Sequence, residues 1–245
     1  MNNGGALQRG HSTAHDNTVV YRLNKVIAHV KVGGRWLDCG CAEGGYTVEI
    51  VRAGATHVVG VDIERTRVND ARDQDLDDAT WAIAPSEALP FAASSFEGVF
   101  LNEVLEHVEN ESSTLREIHR VLDDDGILVA ISPNRWFPFE GHGLSTPWFN
   151  LPFPVPVIPW LPQRLISRFM TARNYWPREL KTLIEDCGFT VEVVDFVFPM
   201  FERWRWLPQA VERRYLRLIP RLERMPVIRK FGVSTLLIAR RTQPA

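Results

Sequence analysis

Two acids and a run of small residues carry the most specific chemistry in the chain. Trp36-Leu37-Asp38-Cys39-Gly40-Cys41-Ala42-Glu43-Gly44-Gly45 reads as a buried strand entering a tight turn and a helix. Val58-Val59-Gly60-Val61-Asp62-Ile63 reads as a second buried strand ending in an acid. Small residues let a backbone turn sharply and approach a ligand, and an acid about twenty residues further on is placed to take the two hydroxyls of a ribose. A nucleoside cofactor is therefore expected. A nicotinamide dinucleotide fits poorly: where its G-x-G-x-x-G fingerprint has a second glycine this chain has Ala42, and Asp38 stands two residues before Gly40. A carboxylate at the tip of the first strand repels a pyrophosphate but suits a ligand with an amino group and a sulfonium, as in S-adenosylmethionine. The plain alternative is a strand–turn–helix that binds nothing.

Further blocks follow in order. Ala84-Pro85-Ser86-Glu87-Ala88-Leu89-Pro90-Phe91 comes after a short apolar strand. Then come Ser94-Ser95-Phe96-Glu97-Gly98-Val99-Phe100 and Asn102-Glu103-Val104-Leu105-Glu106-His107-Val108. An amphipathic segment at 115–122 leads through Asp124-Asp125-Gly126 into the strand Ile127-Leu128-Val129-Ala130-Ile131. Together these blocks resemble the class I S-adenosylmethionine-dependent methyltransferases, particularly those that act on small molecules, quinones, lipids and sugars. The resemblance is close over 34–134 and holds in outline beyond.

The resemblance implies a cofactor site in which Asp38, Gly40 and Ala42 face the methionine half, Cys41 belongs to the same cofactor-binding turn, and Gly44 allows close packing at the helix start. It puts Asp62 on the ribose, Ile63 on one face of the adenine, Ser86 and Glu87 at the adenine edge, and Asn102 where backbone closes over the cofactor. Ala42 stands where relatives often carry glycine, and Pro85 where they often carry Asp or Asn to accept from the adenine amino group. Methyl transfer asks for an acceptor lone pair held in line with the donor. A hydroxyl or carbon acceptor also calls for a base, for which the candidates are His107, His142, Glu103 and, beside them, Glu106; imidazole ordinarily titrates near neutrality. Glu103-x-x-Glu106-His107, with His142 later, resembles a divalent-metal pattern of some O-methyltransferases, yet Glu-His here is common in members that use no metal. A metal is not the favoured reading.

The periodicities position these residues. Helices are expected over 19–30, with Val19, Leu23, Val26, Ile27 and Val30 on one side, and over 46–53, 64–73 and 178–187. Strands are expected at 35–39, 57–62, near 81, at 98–101, 127–132, 189–198 and 232–240. Strands alternating with helices predict an α/β fold, a Rossmann-like, mostly parallel seven-stranded sheet with helices on both faces and the last strand antiparallel. A single domain over 1–245 is expected, with a cofactor-binding core at 18–134 and the end of the core at 175–198 and 232–241. Two insertions interrupt it: a Pro- and aromatic-rich lobe at 135–174 and a basic amphipathic segment at 199–231. Both start at the carboxyl edge of the sheet, where open α/β folds bind ligands.

Between Arg203 and Lys230 there are nine Arg or Lys against Glu212 and Glu223, with Leu207, Val211, Tyr215 and Leu218 at helical spacing beside Trp204 and Trp206. A lid helix with solvated arginines, or a helix lying on an anionic membrane or receiving a lipid-linked acceptor, both fit. The 245 residues carry a net charge of −2, which gives no global pull toward nucleic acid. No apolar run is long enough for a spanning helix, residues 1–17 lack a signal-peptide core, and three cysteines cannot build a disulfide framework. A cytoplasmic enzyme is expected, with peripheral contact at the inner membrane face compatible with the basic segment. It would transfer a methyl group, to oxygen in the first place, on a small, glycan-like or lipid-linked acceptor, with no obligate protein partner. The competing readings are a cofactor-binding regulator without turnover and a nicotinamide oxidoreductase.

Overall fold

The computed structural model describes residues 17–140, 144–145, 150–151, 155–161, 172–200 and 208–242. Seven strands form the main sheet: β1 (Arg35–Cys39), β2 (His57–Asp62), β3 (Ala79–Ile83), β4 (Phe96–Asn102), β5 (Leu122–Pro133), β6 (Phe189–Val197) and β7 (Ser234–Arg241). Their spatial order is β6-β7-β5-β4-β1-β2-β3. The pairs β3–β2, β2–β1, β1–β4 and β4–β5 are parallel, and β7 runs antiparallel to both β5 and β6. The sequence expectation of a mostly parallel sheet closed by an antiparallel last strand holds.

The strands alternate in the faces they present, which explains why near-continuous apolar runs can serve two cores. Trp36, Val58, Phe100, Val129 and Leu236 pack on one side against Leu23 and Val26 of α1 (Asn17–Ile27) and Ile50 of α2 (Gly45–Arg52). Their neighbours Leu37, Val59, Leu101, Leu128 and Leu237 pack on the other against α4 (Glu111–Val121) and α5 (Pro177–Glu185), through Leu115, Ile118, Leu180 and Ile184. Burying each such side chain contributes roughly 1.5–3 kcal/mol. The polar helix α3 (Arg65–Arg72) follows β2 and buries only Val68 and Ala71.

Local signals set the helix ends. Asn110 caps α4 by accepting from the Ser113 backbone N–H at 2.9 Å. Pro177 occupies the first position of α5, and Gly188, at φ 92°, follows its end.

Three expectations need correction. Ile27 is exposed, not part of the buried face of α1, because the chain leaves the helix there. The acidic stretch before Ile127 is a bulge within a longer β5: Phe96 pairs with Leu122, Gly98 with Ile127, and Asp125 takes a left-handed φ of 61°.

The third concerns the basic helix, α6 (Gln209–Glu223). It buries Ile219, with Tyr215, Leu216 and Leu222 half-buried beside it, while Val211 is 50% and Leu218 38% exposed. The expected stripe is therefore rotated away from the domain; Leu207, Trp204 and Trp206 lie outside the described residues.

Of the Pro/aromatic lobe, two short ladders are described: 139–140 with 155–156, and 144–145 with 150–151. Arg135 ties this lobe to the core by donating from Nε to the Pro159 carbonyl at 2.6 Å and from a terminal nitrogen to Leu161 at 2.7 Å. Among the described residues no helix is long and apolar enough to cross a membrane.

Candidate functional site

Parallel β1, β2 and β4 release their chains at the same edge, so their following turns meet. The β1–α2 turn reverses through Gly40 at φ 83°, Ala42 at 48° and Gly44 at 86°. Gly40 has no room for a side chain, since a Cβ would stand 2.3 Å from Val104. At Gly44 a Cβ would meet the Trp81 ring at 2.6 Å, so that ring, from β3, sets the close packing at the helix start. Ala42 holds the left-handed conformation without glycine's freedom, so its departure from glycine is a backbone cost of about 1 kcal/mol as well as a methyl group. Gly44 gives the α2 N-terminus no side-chain cap of its own, and the Thr47 backbone N–H in that first turn donates to Asp38.

Asp62 fastens the two turns together. One carboxylate oxygen accepts from the Ala42 N–H at 3.0 Å and the other from the Glu64 N–H at 2.8 Å. Each oxygen keeps a further lone pair for a ligand hydroxyl. Beside it Ile63, a large apolar side chain, is 67% exposed, a flat platform at the strand tip.

Asp38 is buried, and its Oδ2 accepts from the Thr47 hydroxyl at 2.6 Å. Burial, with Asp62 adding to it, pushes its carboxyl up to about 7 against the hydrogen bonds from Thr47. Cys39 and Cys41 are buried on either side of Gly40, and burial first and Asp38 next raise both thiols far above their ordinary range. They are small packing residues held as thiols.

The Ser86 hydroxyl lies 3.3 Å from Glu87 Oε2 and 3.3 Å from the Thr114 hydroxyl at the start of α4. Pro85 is exposed beside it. Asn102 and Glu103 end β4 in a network that the sequence did not suggest. Arg22 of α1 donates to Asn102 Oδ1 at 2.7 Å and to Ser234 Oγ at 3.1 Å, and stands 3.2 Å from Glu103 Oε1. Ser234 in turn donates to Glu103 Oε1 at 2.6 Å. Glu103 is held at φ 54°, a strained backbone that this network over-determines.

Glu106 is fully buried; burial, with Glu103 adding to it, raises its pKa well above the ordinary carboxylate value. His107 is partly exposed, with Nε2 4.0 Å from Glu106 Oε1. His142 lies outside the described residues. Among the described residues no three His, Cys, Asp or Glu side chains cluster as metal ligands.

The structure thus gathers Asp38, Gly40, Cys41, Ala42, Gly44, Asp62 and Ile63 into one turn system, with Asn102 and Glu103 on the adjoining strand end. Thr47, Arg22 and Ser234 were missed. Thr47 had a faint signal, a hydroxyl on the first turn of a helix that follows an acid. Arg22 broke the apolar face of α1; Ser234 gave no local sign, being 131 residues from Glu103.

This geometry suits S-adenosylmethionine: a buried carboxyl for a cationic head, clamped acceptors for a ribose and an exposed apolar side chain for a purine. Residues 37–130 match the family described as a methyltransferase domain. A ubiquinone biosynthesis O-methyltransferase of Ruegeria pomeroyi is 32% identical over 182 residues, covering 71% of this chain and 67% of that protein. An O-methyltransferase of Aspergillus nomiae is 32% identical over 95 residues, or 37% of this chain, which spans only 42% of that relative's length. A solved S-adenosylmethionine-dependent methyltransferase of Mesorhizobium loti superposes with a TM-score of 0.64 at 19% identity, covering 92% of this chain and 99% of that one, and so shares the fold. The chain belongs to the S-adenosylmethionine-dependent methyltransferases.

Proposed function

We propose that this protein transfers a methyl group from S-adenosylmethionine to an oxygen of a small, amphiphilic acceptor, glycan-like or lipid-linked. The observation that carries the reading is the pairing of buried Asp38 with Asp62, clamped across two turns at one sheet edge. When bound, S-adenosylmethionine supplies a methyl group on a sulfonium that needs no further activation. Asp38 would hold the ammonium of its methionine half, Asp62 the ribose hydroxyls and Ile63 an adenine face; Ser86 and Glu87 lie at the adenine edge. Gly40, Cys41, Ala42 and Gly44 would form the backbone cradle.

His107 would take the proton of the acceptor hydroxyl, the methyl group passing from sulfur to oxygen and the sulfur keeping the S–C bond pair as a neutral thioether. Glu103, fixed by Arg22 and Ser234, positions the β4 end, and buried Glu106, its pKa raised, stands behind the imidazole with Oε1 4.0 Å from Nε2. His142 stands as a second candidate base. In relatives, the name O-methyltransferase recurs, which supports oxygen as the acceptor atom. The aromatic insertion at 135–174 and the basic insertion at 199–231 would shape the acceptor side of a single domain.

Pro85 favours a second reading, a cofactor-binding regulator without turnover, because it offers the adenine amino group no side-chain acceptor. Calorimetry with S-adenosylmethionine and S-adenosylhomocysteine, followed by an acceptor screen, separates the two. Micromolar binding and turnover of a hydroxylated amphiphile are expected. Asp62→Ala should weaken binding at least tenfold, since it removes charge-assisted hydrogen bonds of about 1.5–3 kcal/mol. Tight binding by Asp62→Ala would overturn the ribose assignment, and binding without turnover of any acceptor would favour the regulator.

A further inference from the structure

We propose that the outward face of α6 docks the protein on an anionic lipid bilayer. This deepens the amphiphilic-acceptor reading and rests on it for the reason that the site should face lipid.

The inward face of α6 is already committed. Ile219 is buried there, and Glu223 accepts from the Tyr21 hydroxyl at 2.6 Å and from Lys25 Nζ at 2.8 Å, both on α1. The opposite face carries Arg214, Arg217, Arg221 and Arg224 at steps of three and four residues, all exposed, with Arg213 beside them. Val211 and Leu218 lie exposed along one flank of that face, and Met225 and Val227 follow exposed beyond the helix end. Arginines on a polar face flanked by apolar side chains are what a helix needs to lie in a bilayer interface.

The charge is local. Nine Arg or Lys face two Glu between 203 and 230, in a chain whose net charge is −2. A negatively charged lipid surface attracts such a segment, while the remainder of the protein offers no general attraction for polyanions.

The path of the chain ties this face to the site. After Val227 comes exposed Phe231, whose ring centroid lies 5.9 Å from that of Trp136, itself exposed and 5.0 Å from Trp176. Trp136 follows the carboxyl end of β5, and Phe231 precedes β7 at that same edge. Tryptophan with one polar edge and a large apolar body is at home between headgroups and acyl chains. A protein resting on these residues would bring its acceptor side to the lipid, where an amphiphilic hydroxyl compound is already concentrated.

The test titrates the whole chain with vesicles of phosphatidylglycerol mixed with phosphatidylcholine, and with phosphatidylcholine alone, following intrinsic tryptophan emission and co-sedimentation. Binding is expected only to the anionic vesicles and should weaken with added salt. Arg214→Ala/Arg217→Ala/Arg221→Ala should lower vesicle affinity about a hundredfold, since each basic residue near such a surface is worth about fivefold. Val211→Ser/Leu218→Ser should remove the binding that survives high salt. S-adenosylhomocysteine binding by calorimetry should be unchanged in both variants.

Equal binding to neutral vesicles overturns the proposal, as does an unaffected triple arginine variant. So does a dimer in solution that the same variants break while no vesicle is bound; the face would then belong to a second copy. The lipid and salt dependence of the unaltered chain decides the matter even if a variant fails to fold. Cofactor binding without vesicle binding sinks the docking face alone, whereas vesicle binding without cofactor binding sinks the cofactor reading and leaves the docking face standing.

Discussion

Asp38 and Asp62 stand close enough for one to raise the pKa of the other, and that repulsion is what a cationic ligand relieves. Because the Asp38 carboxyl is raised to about 7, the folded chain retains a proton there that the unfolded chain has lost above about pH 4. Stability from this group therefore falls as pH rises across that window. Ligand binding has the opposite slope. A cationic head favours the ionised carboxylate, so affinity for S-adenosylmethionine should rise from about pH 5 to about pH 7 and then level off. Asp38→Asn should flatten this profile and weaken binding about tenfold or more, which calorimetry across pH would show; a slope that persists in the variant assigns the proton elsewhere. The acids themselves were legible in the sequence because they sit at strand tips with small residues between. Their coupling was not, since it depends on parallel β1 and β2 setting Asp38 beside Gly60 in register.

At the scale of elements, α6 is the best case of a helix whose existence was legible and whose orientation was not. Its apolar residues define more than one stripe, and only contacts with α1 choose between them. Those contacts are ionic as well as apolar. Lys25 of α1 reaches Glu223 of α6 at 2.8 Å and also stands 3.0 Å from Asp195 of β6, which receives Arg229, beyond the end of α6, at 2.7 Å. Partial burial works to raise the Asp195 pKa, but Lys25 and Arg229 outweigh it and hold the carboxyl below its ordinary value. The stability it contributes is present above the unfolded carboxylate range and is lost as pH falls through the lower folded value.

Lys25→Met should leave Asp195 and Glu223 short of a shared cation and loosen α6 by about 1–3 kcal/mol. Hydrogen exchange should then speed up over 209–231 while β1, β4 and β5 keep their protection. Uniform acceleration across the sheet would show instead that α6 is integral to the core. The bulge in β5 teaches the same lesson, because Asp124-Asp125-Gly126 reads locally as a turn and only pairing with β4 carries the strand through it.

For the whole molecule, the proposed cofactor site would join turns from β1 and β2 with the ends of β4 and β7, so a ligand there should stabilise the fold as one unit. S-adenosylhomocysteine at about a hundred times its dissociation constant should add about 2.7 kcal/mol. In a domain of this size that corresponds to a rise in melting temperature of about 5–10 °C, measurable by scanning calorimetry. Asp62→Ala should show little of the rise, since it weakens the ligand and unfastens the turns together. A full rise in that variant would place the ligand away from Asp62.

The order of the core strands and helices, the two acids and the small-residue turn were determined by the sequence. Each rests on local periodicity or on spacing within a few tens of residues. Only the tertiary structure decided that Arg22, Asn102, Glu103 and Ser234 form one network and which side of α6 faces outward. Those outcomes depend on pairs far apart in the chain, 212 residues for Arg22 and Ser234. No local pattern encodes such a pair, because what selects it is the burial of polar groups that must find partners once the sheet has assembled.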